Sequence, residues 1–171
     1  MNIFKKISQN KLTYFFLVNL QSLLIVYNLI SNMYNKNGDY NMNIKVRYFS
    51  ASGNTKRIAD AIAEGLNIEA ISIKDEPELK KHTDLLFLGG APYANIMAKP
   101  LKEYALNIKK EDVDKIVLFT TSNWSRRTVR ALKKIFKEKG IFVYDKYFYA
   151  HMLRIKKRIP KAKEFGKQFV D

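Results

Sequence analysis

The sequence predicts an α/β chain built on a five-stranded parallel sheet with helices on both faces, and three observations carry that prediction. Short apolar runs alternate with helical patterns from residue 44 onward. Two of the runs, Leu85-Leu86-Phe87-Leu88 and Ile116-Val117-Leu118-Phe119, are apolar without interruption, as parallel strands covered on both faces are. The first run, starting at Ile44, ends in a loop of glycine and hydroxyl residues that opens at once into a helix. That is the join between strand and helix in a doubly wound sheet.

The elements follow in chain order. After the first strand comes a helix reaching Leu66, where Ile58, Ile62 and Leu66 at fourfold spacing, with Ala59 and Ala63 beside them, form one apolar stripe. Further strands are expected over 68–73, 85–88, 116–121 and 141–149, with a helix in each connection, so that the order is βαβαβαβαβα. Pro100 suits the first turn of a helix carrying Leu101, Tyr104, Ala105 and Ile108. The next helix, 126–139, turns Val129, Leu132, Ile135 and Phe136 inward and stops at Gly140, with Lys137 and Lys139 complementing its negative end. Pro160 is expected to open the last one. The first strand departs from the pattern, because Lys45 and Arg47 alternate with Val46 and Tyr48 where a central strand should be apolar throughout. Either their long stems pass a helix to reach solvent or the sheet is thinly covered at that end.

The loop after the first strand reads Ser50-Ala51-Ser52-Gly53-Asn54-Thr55. Its backbone N–H groups and the hydroxyls of Ser50, Ser52 and Thr55 converge where the helix N-terminus adds roughly half a positive charge, so the expected occupant is a phosphate. Gly53 permits a tight turn and close backbone approach, and Asn54 and Thr55 are candidate caps for the helix. Taken alone, such a loop is equally an ordinary strand-to-helix turn. In its context it resembles the phosphate loop of flavodoxins, T/S-x-T/S-G-x-T, and the resemblance extends over the chain from Met42 on. It implies a flavodoxin-like three-layer sandwich with strand order 2-1-3-4-5, and a bound flavin mononucleotide (FMN) whose phosphate is held by Ser50, Ala51, Ser52, Gly53, Asn54 and Thr55.

In such a sheet the ligand sits at the carboxyl ends of the strands, where strand order reverses. The loop after the third strand reads Gly89-Gly90-Ala91-Pro92-Tyr93-Ala94-Asn95. The resemblance places Ala91, Pro92, Tyr93 and Ala94 against the flavin ring, with Tyr93 as the stacking aromatic; a plain turn with a half-buried tyrosine is the competing reading. After the fourth strand come Thr121, Ser122, Asn123 and Trp124, the second ring-contacting loop by resemblance. There Trp124, the only tryptophan, either covers the other ring face or plugs the gap between loop and helix. Backbone amides around Ser122 and Asn123 would meet the ring's polar edge.

Composition narrows the function. The chain has 31 Lys+Arg against 16 Asp+Glu, net +15, and residues 42–171 alone keep a net charge of +12. Flavodoxins that act as mobile carriers are typically acidic, so this surface favours acidic redox partners instead. No stacking platform or recognition motif accompanies the basic runs, so a specific nucleic-acid site is not expected. Absence of cysteine excludes disulfides, a redox CxxC and a thiolate-bound iron–sulfur cluster. His82 and His151 lack metal-ligand spacing, no Gly-x-Ser-x-Gly elbow occurs, and no catalytic residue is assigned.

Residues 1–41 differ in character from the rest. The stretch 12–30 is mostly apolar, broken by Asn19, Gln21, Ser22 and Asn28, and preceded by Lys5, Lys6 and Lys11. Three expectations compete: translation starting at Met42, a membrane anchor, and a secretory signal, the last weakened by the lack of a small-x-small cleavage site. The start at Met42 is preferred because Gly38-Asp39 can be encoded by a ribosome-binding-site-like string. On that reading the protein is cytoplasmic, and it meets a membrane only if 12–30 is translated and inserted.

The resulting expectation is one domain, residues 42–171, that binds FMN and exchanges electrons with separate redox-partner proteins. Alternatives are a flavin-free binding or regulatory module on the same fold, a small FMN-dependent quinone or NAD(P)H reductase, and a relative of the flavodoxin-like activator of ribonucleotide reductase. That last family's Tyr-Phe-Ser-x-x-x-Gly-Asn-Thr opening resembles Tyr48 to Thr55.

Overall fold

The computed structural model describes residues 22–27 and 42–170. The chain divides between Met42 and Asn43 into two units. In the first, residues 22–27 are helical and exposed; most of the apolar stretch 12–30 lies outside the described residues. Among the described residues no helix is long and apolar enough to cross a membrane.

The second unit runs β1 (Ile44–Tyr48), α1 (Asn54–Gly65), β2 (Ala70–Ser72), β3 (Thr83–Gly90), β4 (Pro92–Tyr93), β5 (Ile96–Met97), α2 (Lys99–Asn107), β6 (Val113–Ser122), α3 (Arg127–Glu138), β7 (Phe142–Val143), β8 (Phe148–His151) and α4 (Ile155–Lys167). The main sheet is parallel and ordered β2-β1-β3-β6, with β7 and β8 both pairing β6 at its far edge. This is the expected 2-1-3-4-5 order, with the fifth position shared by two short strands: β7 sits beside Lys115 and Ile116, and β8 beside Phe119 to Ser122. Alternation along the central strands sorts the core. Leu86 and Leu88 of β3 and Ile116 and Leu118 of β6 pack with Leu101 of α2 and with Val129, Leu132 and Phe136 of α3. The alternate residues Leu85, Phe87, Val117 and Phe119, equally buried, face the side of α1 and α4.

Four expectations are corrected. No helix joins β2 to β3: the chain turns over Ser72, whose carbonyl accepts from Asp75 and Glu76 N–H at 3.0 Å, and Pro77, in the middle of that connection, disfavours a helix there. Pro160 does not open α4 but lies inside it. The missing N–H and ring clash, a cost of roughly 3 kcal/mol in a free helix, are carried by a helix whose Ile155, Ala162 and Phe165 are buried. The run 68–73 shortens to the three residues of β2, as befits a sheet edge. α3 does end before Gly140, whose φ is +67°. Lys139, however, donates to the carbonyls of Leu106 and Ile108 at 2.6 and 2.8 Å, closing the end of α2 rather than its own.

The missing crossover helix explains the charges in β1. Lys45 reaches outward to the carbonyl of Lys81 at 3.0 Å. Arg47 stays buried and pairs with Glu76 from the segment that replaces the helix. So the sheet is covered at that end by a loop, and the guanidinium is neutralised in place. Among the described residues Arg47 Nε is buried without a hydrogen-bond partner. Burial, opposed by the Arg47 charge, pushes the Tyr104 phenol up to about 12.

Removing one member of such a pair leaves a buried charge uncompensated. Glu76→Gln is therefore expected to lower unfolding free energy by about 1–3 kcal/mol in urea titrations, below the fully buried range because 31% of the Glu76 side chain is exposed. Adding Arg47→Met to that variant should recover most of the loss.

Candidate functional site

The carboxyl ends of β1, β3 and β6 carry three loops, at the point where strand order reverses between β1 and β3. Beyond β1 the pairing continues for one more bond, from Phe49 N–H to the Gly89 carbonyl at 3.0 Å. The chain then turns through Ser50–Gly53 into α1. Gly53 is in the left-handed conformation, φ +81°, and among the described residues beyond its chain neighbours no heavy atom lies within 4 Å of where a Cβ would stand. It serves as the N-cap, and no side chain caps the helix. The first helical bond runs from Arg57 N–H to the Gly53 carbonyl at 3.1 Å, so the N–H groups of Asn54, Thr55 and Lys56 have no acceptor within the helix. Together with the helix dipole these form an anion cradle. Lys56 adds no free charge to it, since its hydrogen bond to Asp60, 2.8 Å, engages the ammonium and raises its pKa.

The hydroxyls are arranged otherwise than the sequence suggests. Ser52 is exposed. Ser50 Oγ accepts from Gly53 N–H at 3.0 Å and so shapes the loop from within. Thr55 neither caps the helix nor faces outward: it is buried, and its Oγ1 lies 2.7 Å from Thr121 Oγ1. Thr55 stands three and four residues before Ile58 and Ala59, both buried, so helical periodicity alone assigns it to the inward face.

The second loop is a hairpin rather than a plain turn. Gly89 and Gly90 still belong to β3, where an added Cβ would stand 2.3 Å from the Phe119 ring and 2.4 Å from Leu101 Cδ2. Pro92–Tyr93 then pairs antiparallel with Ile96–Met97 across Ala94 and Asn95, whose φ angles are +47° and +62°. A two-residue turn of this hand normally announces itself as Asn-Gly or Asp-Gly, so Ala-Asn gave no signal. The hairpin presents Tyr93, whose ring meets Phe49 edge-on at 6.0 Å and whose hydroxyl accepts from Ala51 N–H at 2.8 Å.

The third loop is tied to the first two through β6. Thr120 Oγ1 donates to the Gly90 carbonyl at 2.7 Å, and Thr121 makes the bond to Thr55. Ser122 is buried, and its hydroxyl donates to the Ser125 carbonyl at 2.5 Å. Asn123 and Trp124 are exposed. Trp124 has φ +74°, a strained conformation for a bulky residue. Its N–H donates to Tyr149 Oη at 3.0 Å, and its ring meets His151 edge-on at 5.0 Å. Tyr149 Oη also donates to the Ser122 carbonyl at 3.2 Å, clamping the loop from both ends. Sequence reasoning missed this clamp because it depends on Tyr149 lying beside Thr120 in the β8 register. Hydrogen bonds thus join the three loops, but Tyr93 and Trp124 rest on different neighbours and are not stacked on each other.

At the other end of the strands, His82, Asp84 and Asp114 bring possible ligand atoms within 4.8 Å of one another. The Glu111 carbonyl, at 2.8 Å from Nδ1, and Asp114 raise the His82 pKa.

No family model matches the sequence, and no curated protein matches it. Solved structures do match. Oxidised flavodoxin 1 from Bacillus cereus is 22% identical, with a TM-score of 0.62 over 74% of this chain and 96% of that one. A flavodoxin from the domain Archaea is 24% identical, with a TM-score of 0.58 over 73% and 94%. A Fusobacterium nucleatum flavodoxin mutant bound to flavin mononucleotide is 19% identical, with a TM-score of 0.55 over 75% and 93%. An open, parallel α/β sheet with its loops at a switch point is therefore the class of the domain. Its particular fold is flavodoxin-like.

The Tyr93–Ala51 bond is testable without a ligand. Tyr93→Phe is expected to reduce stability by about 0.5–1 kcal/mol and to speed amide hydrogen exchange at Ala51, leaving the core signals unchanged.

Proposed function

We propose that this domain binds FMN at the joined loops and carries electrons between separate redox proteins. One observation carries the reading: an uncapped helix start, opened by the left-handed Gly53, stands at the switch point of a flavodoxin-like sheet. The residues fit the group. The cradle offers N–H donors that are uncommitted among the described residues, open space at Gly53 and an exposed Ser52; the Ala51 N–H donates to the Tyr93 hydroxyl. Ser50, Ala51, Ser52, Gly53, Asn54 and Thr55 would form the phosphate site, Thr55 by its backbone. Ala91, Pro92, Tyr93 and Ala94 would border the ring on one side, and Thr121, Ser122, Asn123 and Trp124 on the other. When bound, the flavin supplies the redox chemistry; the chain binds it, orients it and limits its access to water. The Fusobacterium flavodoxin, bound to the same nucleotide on the same fold, supports the reading. A cytoplasmic setting is part of it.

A flavin-free module on this fold is the second reading, favoured by the way Tyr93 and Thr121 already engage two loop groups from within. FMN titration separates the two. The apoprotein is expected to take up FMN with quenching of its fluorescence and to turn yellow. Gly53→Val should weaken uptake at least about 100-fold, because a β-branched residue is strained at that φ and its side chain fills the approach. A protein that ignores FMN, or a Gly53→Val variant that binds as well as the wild type, contradicts the proposal.

A further inference from the structure

Five of the chain's seven arginines surround Trp124. Two cavities share that residue as a wall. One, of about 500 Å³, is lined by Arg126, Arg127 and Arg130; the other, of about 370 Å³, by Arg154, Arg158 and the exposed Leu153. The concentration has a simple origin in the sequence. Residues 115–137 and 146–163 contain no Asp or Glu, and the parallel pairing of β8 with β6 brings the loops that follow them together. Among the described residues none of the five arginines makes an ion pair. Two are nonetheless held in place: Arg158 donates to the Tyr149 carbonyl at 2.8 Å and lies over the Phe148 ring, while Arg126 lies over the Tyr149 ring.

We infer that this face is the docking surface for an acidic electron-carrier protein. The inference rests on the FMN reading and extends it by naming where a partner sits. Three features select that occupant. Guanidinium forks bind carboxylates in pairs of parallel hydrogen bonds, and Arg127, Arg130 and Arg154, whose side chains make no hydrogen bond or ion pair among the described residues, are open to such pairing. Trp124, 79% exposed, and Leu153, 81% exposed, supply the apolar centre that a protein interface needs inside a charged rim. Trp124 also belongs to the loop proposed to border the flavin, so a partner seated here brings its redox centre next to the ring. A single-stranded nucleic acid tracked along its phosphates calls instead for repeated exposed stacking residues, and among the described residues lining the two cavities Trp124 is the only exposed aromatic, Tyr149 and His151 being half-buried.

The test uses the full chain, with and without FMN, and a strongly acidic plant-type [2Fe–2S] ferredoxin as probe, with basic cytochrome c as the control. Calorimetric titration at low salt is expected to show ferredoxin binding that weakens steeply as salt shortens the Debye length, and no binding of the cytochrome. Combined Arg126→Glu, Arg127→Glu and Arg130→Glu should raise the ferredoxin Kd at least about tenfold, and Leu153→Asp should also weaken it, with FMN affinity and melting temperature unchanged. The matching reversal at Lys80, Lys81 and Lys115, exposed at the amino ends of β3 and β6 and so at the opposite end of the strands, should change the ferredoxin Kd less than about twofold. The inference is overturned by absence of ferredoxin binding, by equal losses from the two triple variants, or by tighter binding to anionic vesicles or duplex DNA. A chain that binds ferredoxin through these arginines yet never takes up FMN upholds the docking face and overturns the functional reading alone.

Discussion

The pairing of β1 between β2 and β3, all three strands parallel, is the constraint from which the rest of the loop end follows. It sends the connections from β1 and β3 away from each other and leaves a crevice between them. The stiffness of that crevice is not a property of the loops themselves. It comes from β3 and β6, buried from Leu85 and from Ile116 onward, whose side chains fill both layers of the core, and from glycines at the end of β3 that let Phe119 and Leu101 close against the backbone.

On that base a short series of hydrogen bonds converts three separate loops into one surface. Ala51 is held by Tyr93, Thr55 by Thr121, Gly90 by Thr120, and the turn after β6 by Tyr149. Each bond crosses between elements far apart in sequence. Each is worth about 1 kcal/mol by itself, and their value lies in fixing the loops relative to one another. The strained backbone at Trp124 persists because Tyr149 and His151 hold the residue from two directions.

What the sequence disclosed, and what it withheld, divides along the range of the interactions. Uninterrupted apolar runs identified β3 and β6, and the spacing of Ile58 and Ile62 identified α1, because these depend only on local period and burial. The absent crossover helix was hidden because a regular alternation of strand and helix was assumed; the charge of Arg47 in a central strand was the visible sign that something else covered it. The site was legible as a loop motif through Gly53 and the hydroxyls around it. Thr55 was misassigned to the outward hydroxyls, although its spacing from Ile58 and Ala59 puts it on the buried stripe. The Tyr93 hairpin and the Tyr149 clamp were not legible, since a turn without glycine carries little signal and a cross-strand contact depends on register.

The domain therefore combines a neutral, backbone-built cradle at α1 with a basic face beside it at Trp124. On the proposed reading the cradle would recognise a phosphate by N–H groups rather than by side-chain charge, and the account stands on that division. Titrating the apoprotein with FMN and with riboflavin side by side tests it most directly, because the two differ only in the phosphate. The account predicts that FMN binds at least about 100-fold more tightly, as expected from several charge-assisted hydrogen bonds lost together. Equal affinity for the two flavins, or failure to bind either, would contradict it.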